Sequence, residues 1–135
     1  GSFSAGEHND CVAMAKQFAD RTHFVHLRSC YIFPDGNFTE ASHLGGRGHL
    51  IDLCRIFEKA EQEGKCNSGR RLPMRVDHGM TFTDEPGGVF DESNHGHNAG
   101  YTLLGRMFAM GQIQGVIATV DDELGIEYKQ PGFYD

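Results

Sequence analysis

Three segments with helical spacing of apolar residues alternate with three strand-like segments along this 135-residue chain. The predicted helices begin at Cys11, Leu50 and Leu103. The predicted strands are Thr22–Arg28, Leu72–Asp77 and Ile113–Val120. Because helices and strands alternate, we expect an α/β fold in which parallel strands pack beneath an outer layer of helices.

Capping residues set the ends of the predicted helices. Asn9-Asp10 can cap the first helix, and Gly64 ends the second. Gly111 is the predicted C-cap of the third helix, whose inward face would be formed by four apolar residues: Leu103, Leu104, Met107 and Phe108.

Two long polar segments each follow a predicted strand, residues Phe33–Gly48 and Thr83–Asn98. Loops of that length in a compact domain are usually functional. In α/β folds, ligands bind beyond the carboxyl ends of the parallel strands. We therefore expect the functional site at the ends of the first two strands.

Three parallel strands are too few for a complete fold of this class. A closed (β/α)8 barrel takes about 250 residues, and an open sheet of three strands would leave both edges unpaired. We therefore expect the sequence to be part of a larger protein.

Charge and cysteine content exclude several functions. The net charge is -7, with no basic stripe, so neither nucleic acid nor a membrane is an expected partner. The longest apolar runs are too short to span a bilayer. The four cysteines include no CxxC pair, which favours free thiols in a reducing cytoplasm over zinc or disulfide scaffolds.

Alternation along the strands predicts which side chains face the site. His26 and Arg28 share one face of the first strand, and Arg75 and Asp77 share one face of the second. Imidazole and carboxylate groups suit manganese, iron or zinc, and a guanidinium can bind a carboxylate. The alternative is a structural Arg75–Asp77 ion pair beside a hydrogen-bonded core His26.

Four further residues are candidates. His78 starts the loop after the second strand, and Gly79 would permit a backbone turn there. Glu40 and His43 lie in the first loop, where a solvated structural role is equally consistent with the sequence. Tyr101 opens the third helix, where its phenol could transfer a proton or simply pack.

Four motifs resemble mannonate dehydratase: HFVHLRS, FTEASHLGG, PMRVDHG and NAGY, followed by Gly-Arg in the next helix. They occur in the family's order from the first residues to about Val120. The chain departs from the family at Val76 and Ala99, where proline is usual, but neither change removes a chemical group.

The resemblance implies a TIM (β/α)8 barrel that dehydrates D-mannonate to 2-keto-3-deoxy-D-gluconate in hexuronate breakdown. Residues 1–120 would form about three strand-helix units of its carboxyl-terminal part, and residues 121–135 its tail. Mn²⁺ or Fe²⁺ is the implied cofactor. Carried onto this sequence, the roles are metal ligation by His26 and Asp77, acid/base catalysis by His78 and Tyr101, and substrate binding by Arg28 and His43.

The resemblance also implies that a cysteine and a histidine ligand of the family lie upstream of Gly1. Because these ligands are missing, we expect the 135-residue chain to be inactive alone. We also expect the longer parent enzyme to be cytoplasmic and homo-oligomeric. Two alternatives stay open: a metal-dependent sugar isomerase of the same fold, and a non-catalytic truncated module that self-associates through exposed strand edges.

Overall fold

The computed structural model describes residues 9–67, 70–80 and 102–127, which form a mixed α/β arrangement. The elements in chain order are α1 (Cys11–Phe18), a 3-10 turn (Ala19–Arg21), β1 (Val25–Leu27), β2 (Cys30–Ile32), β3 (Phe38–Glu40), α2 (Leu50–Gln62), β4 (Met74–Val76) and α3 (Leu103–Leu124). The first two predicted helices are confirmed. Asp10 caps α1 by accepting a hydrogen bond from the Ala13 amide, and α2 ends next to Gly64, whose φ is +67°.

Strands β1 and β4 pair in parallel, as the sequence predicted. His26 lies opposite Arg75 and Leu27 opposite Val76. Both strands are shorter than predicted, but the amide of Asp77 still donates to the Leu27 carbonyl at 3.0 Å, one residue beyond β4. This bond extends the pairing to the point where the candidate site residues begin.

The helices cover one face of the β1–β4 pair. Leu27 and Val76 are buried together with Leu50 and Cys54 of α2 and the inner side chains of α3. A second cluster joins α1 and α2 to Leu72, just before β4. Burial of these side chains is the main favourable term in packing helices on a sheet. Leu27 and Val76 therefore form an apolar face of the two strands, which packs against the helices.

The first predicted loop is in part a β-hairpin. Strands β2 and β3 pair antiparallel, with Cys30 opposite Glu40 and Ile32 opposite Phe38. The turn between them contains Gly36 at φ +88°, a backbone conformation that glycine adopts at little cost. The second predicted loop, residues 83–98, lies outside the described residues.

Helix α3 corrects the prediction for the last part of the chain. The predicted C-cap at Gly111 and the predicted strand Ile113–Val120 are both wrong, because the helix runs unbroken to Leu124. It ends at Gly125, which has a φ of +68°. The expected three strand-helix units are therefore two parallel strands and one hairpin within the described residues. No closed barrel is formed by this part of the chain.

The inward face of α3 also differs from the prediction. The buried residues Gly105, Ala109, Ile113, Val116 and Val120 are spaced by three or four positions and form one stripe. The four predicted inward residues, Leu103, Leu104, Met107 and Phe108, are all exposed. Small residues at positions 105 and 109 let the helix approach its neighbours, which turns the larger side chains outward.

By length and composition α3 could cross a membrane, contrary to the expectation from short apolar runs. Its 22 residues include a window of mean hydropathy 1.2, of which 28% is buried. The mostly buried core helix of a soluble protein also meets these length and hydropathy criteria, so this single helix is weak evidence for a membrane. Its buried stripe packs against α2 and β4.

Two acidic side chains are buried between α2 and α3. Glu58 is 3% exposed and Asp121 is fully buried. The pKa of Glu58 is raised to about 7 by burial first and then by the charges of Asp121 and Glu61. Nearby Arg71 lowers this pKa by less than the other groups raise it. Glu58 therefore carries its proton in the folded state at pH values where an exposed glutamate is ionised.

Glycine substitutions test the course of α3. Gly111→Ala should stabilise the protein by about 1 kcal/mol, because Gly111 is a helix-interior residue with open space around it. Gly105→Ala should destabilise it by about 1–3 kcal/mol, since its Cβ would lie 1.9 Å from the Met80 carbonyl oxygen. Urea unfolding measures both. A destabilising Gly111→Ala would indicate that the helix ends there.

Glu58 should make the stability depend on pH. Its pKa rises from 4.5 in the unfolded chain to about 7 in the fold, so its stabilising effect is complete below pH 4.5. As pH rises through about 7 the free energy of unfolding should fall by about 3 kcal/mol. Urea unfolding at about pH 5 and about pH 8 should show a smaller decrease for Glu58→Gln than for the parent. Equal decreases would contradict this assignment.

Candidate functional site

The ends of β1 and β4 bring an imidazole and a carboxylate together. His26 Nδ1 lies 3.3 Å from Asp77 Oδ1, because parallel pairing places the ends of both strands at the same edge. The His26 side chain is 46% exposed and that of Asp77 is 25% exposed. The two groups predicted to bind metal are therefore adjacent and accessible from solvent.

His78 lies between two carboxylates. Its Nε2 is 3.7 Å from Asp77 Oδ2, and its Nδ1 is 3.6 Å from Glu40 Oε1. The side chain is only 13% exposed. These positions connect the predicted acid/base residue to the predicted metal ligand on one side and to the β2–β3 hairpin on the other.

Arg28 forms a two-pronged ion pair with Glu40. Arg28 Nε donates to Glu40 Oε1 at 3.0 Å, and Arg28 Nη2 donates to the same oxygen. The guanidinium carbon also lies 5.2 Å from the centre of the Phe38 ring. Burial lowers the pKa of Arg28, but the hydrogen bonds and charge of Glu40 outweigh it and raise that pKa above its ordinary value.

For Glu40, the sequence leaves open whether the residue has a functional role or a solvated structural role. It ends β3, is 8% exposed, and lies opposite Cys30 in the hairpin. Burial and the charge of Glu40 raise the pKa of the Cys30 thiol to about 11. The available signal was Pro34-Asp35-Gly36, a turn sequence between two short alternating segments, which is typical of a hairpin.

His43 is a buried support rather than an open site residue. It is 2% exposed, and its Nε2–H donates to the Leu27 carbonyl at 3.0 Å. Its own amide donates to Gln112 Oε1 of α3 at 2.9 Å. His43 thus joins the end of β1 to α3, and its predicted contact with substrate stays a prediction.

Gly79 lets the loop after His78 touch the start of α3. A Cβ at Gly79 would lie 2.5 Å from the backbone carbon of Gly105, so close approach requires glycine here. Gly79 is not among the residues with positive φ. Glycine is therefore required at this position because α3 occupies the space of a side chain. It is not required for an unusual backbone turn, which was the prediction.

The described residues bring together two of the predicted metal ligands. His26 and Asp77 converge, but no group of three or more histidine, cysteine, aspartate or glutamate side chains suited to a metal occurs within residues 9–67, 70–80 and 102–127. Tyr101, the other predicted acid/base residue, lies outside the described residues.

The arrangement has three chemical capacities. His26 and Asp77 can bind a cation, and His78 can take up or release a proton beside them. The Arg28–Glu40 pair holds opposite charges in a mostly buried position at the end of β1. A cation site next to a proton-transfer group is the arrangement expected where a proton is removed from a carbon acid.

Comparison with known proteins gives a consistent result. A family model described as D-mannonate dehydratase (UxuA) matches residues 1–126. Mannonate dehydratase 2 of Agrobacterium fabrum is 38% identical over 92% of this chain and 30% of its own length. Mannonate dehydratases of Saccharophagus degradans and Brucella canis are 36% and 33% identical over 90% of this chain, and over 30% and 28% of their lengths. The chain spans less than a third of these relatives.

His43→Ala tests the support role. Loss of the ring removes one of the two hydrogen bonds to the Leu27 carbonyl, which keeps the Asp77 amide as a donor, and leaves a cavity. The free energy of unfolding should therefore fall by about 2 kcal/mol. Gln17→Ala is the control, because Gln17 is an exposed residue of α1. Urea unfolding of the three proteins gives the comparison. Equal stability of His43→Ala and the parent would contradict the support role.

Proposed function

The chain belongs to the D-mannonate dehydratase (UxuA) family, and we propose that it forms part of a metal-dependent hydro-lyase that converts D-mannonate to 2-keto-3-deoxy-D-gluconate. One observation carries the proposal: His26, Asp77 and His78 meet at the carboxyl ends of two parallel strands. The relatives cover the same segment with about 30% of their own length, so the activity is proposed for a longer protein that contains this segment.

We propose a TIM barrel for that protein, with residues 1–120 in its carboxyl-terminal part and 121–135 as its tail. A cleft of about 700 Å³ between β4 and α3 supports the proposal. Its described lining combines Met74 and Val76 of β4 with Ile113 and Ile117 of α3. We propose that a further element of the sheet packs at this apolar cleft beside β4.

His26 and Asp77 fit a divalent cation. Nitrogen and oxygen ligands bind at about 2.1 Å from such an ion, so atoms 3.3 Å apart can share one. Imidazole and carboxylate donors suit Mn²⁺ or Fe²⁺. When bound, the ion would polarise the substrate carboxylate and so acidify the proton on the adjacent carbon.

The chain's own residues would handle protons and orientation. His78, adjacent to Asp77, would exchange one proton with the substrate, and Tyr101 would exchange the other. One group removes the proton from the carbon next to the carboxylate, and the other protonates the hydroxyl that leaves as water. Only 13% of the His78 side chain is exposed, which limits competing proton exchange with solvent.

We further propose a cytoplasmic location and a homo-oligomeric parent enzyme. The net charge of -7 and the absence of CxxC pairs in the sequence agree with this location.

Product analysis with D-mannonate tests the reaction. The full-length protein carrying this segment should release a product lighter than mannonate by one water. A product of unchanged mass would instead indicate the isomerase. Mannonate left unconverted with Mn²⁺ and Fe²⁺ supplied would contradict the dehydratase.

Asp77→Asn tests the metal site in the same protein. It should lower bound Mn²⁺ or Fe²⁺ at least 10-fold and reduce dehydration at least as much, because the neutral amide is a poorer ligand. Asp122→Asn, an exposed carboxylate on α3, is the control and should change neither. Metal analysis by mass spectrometry gives the measurement. Unchanged metal content in Asp77→Asn would rule out its role as a ligand.

A further inference from the structure

Glu40 stands out because a carboxylate is held almost entirely out of solvent beside the site. Its side chain is 4% exposed, against 26% for Arg28 and 13% for His78. Burying a carboxylate is unfavourable unless charged or hydrogen-bonding groups compensate it. Groups that provide this compensation are therefore fixed in place by the same interaction.

Arg28 provides part of this compensation through hydrogen bonds and charge. Both Nε and Nη2 of the guanidinium are directed at the Glu40 carboxylate. The Phe38 ring of β3 lies against the guanidinium carbon of Arg28. A two-pronged pair of this kind fixes orientation as well as distance. Arg28 is thereby held against the hairpin at the end of β1.

The same carboxylate lies beside His78. Oxygen Oε1, which accepts from Arg28, is 3.6 Å from His78 Nδ1. His78 Nε2 in turn faces Asp77, and Asp77 faces His26. The five side chains form a continuous series across the site: Arg28, Glu40, His78, Asp77 and His26.

We propose that Glu40 is a positioning residue. This role rests on the proposed function, in which His78 is the proton-transfer group. Glu40 anchors the buried side of the His78 ring and holds Arg28 by the same carboxylate. It does not contact the reacting atoms. It affects catalysis by fixing the orientation of the His78 ring relative to Asp77.

Nuclear magnetic resonance of the full-length protein that contains this segment tests the contacts without reference to activity. Glu40→Gln should shift the Arg28 Nε–H signal, speed its exchange with solvent, and shift the His78 ring nitrogens. The control is Glu123→Gln, because exposed Glu123 forms the same kind of two-pronged pair with Arg55. It should move the Arg55 signal alone. Unchanged His78 nitrogens in Glu40→Gln would overturn the proposal.

Kinetics of the full-length protein separate positioning from a merely structural role. Per folded molecule, Glu40→Gln should lower kcat about 10–100-fold, as is typical for outer residues that orient a functional group, with a smaller change in KM. Glu40→Asp retains the charge and should recover part of the loss, and Glu123→Gln should match the parent. A kcat within twofold of the parent in Glu40→Gln would overturn positioning, as would a loss explained entirely by unfolded protein.

The two experiments keep the proposals apart. If the parent fails to dehydrate mannonate, the proposed function fails, while the His78 and Arg28 signals still decide whether Glu40 holds both groups. If the parent is active and those signals do not respond to Glu40→Gln, the positioning role alone fails.

Discussion

The parallel pairing of β1 with β4 is the contact on which the rest of the structure depends. With His26 opposite Arg75 and Leu27 opposite Val76, alternation sends Leu27 and Val76 into the helical layer and leaves His26 and Asp77 on the other side. A shift of one residue would exchange these sets, exposing the apolar side chains and burying the polar ones. The register therefore determines both the hydrophobic core and the candidate metal ligands.

Two buried acids show how differently this fold treats negative charge. Glu40, at the site, faces a guanidinium and an imidazole. Glu58, between α2 and α3, faces Asp121 and Glu61 with only Arg71 opposing them, and its pKa rises to about 7. The carboxyl group of Glu40 orients the guanidinium beside it, whereas burial among acids favours the protonated form of Glu58. Glu40 lies where the chemistry is proposed, and Glu58 lies in the helical layer.

Helix α3 shows why its segment was misjudged from sequence. IQGVIATV is rich in β-branched residues, which favour a strand when the segment is examined alone. Ile113, Val116 and Val120 also fit helical spacing, continuous with Gly105 and Ala109 upstream. A short apolar segment satisfies both periods, and only contact with α2 and β4 selects the helix. Gly111 was likewise given a capping role that belongs to Gly125.

The sequence by itself determined the family, α1, α2, the parallel strands and the polar residues at their ends, because these depend on local periodicity and on motifs in fixed order. It did not determine the length of α3, the direction of the α3 side chains, or the environments of Glu40 and His43. Those depend on contacts between residues far apart in the chain, such as Arg28 with Glu40 and His43 with Gln112. Tertiary structure decided them because the free energy of burying a charge or an imidazole depends on which partners surround it, and local sequence does not specify those partners.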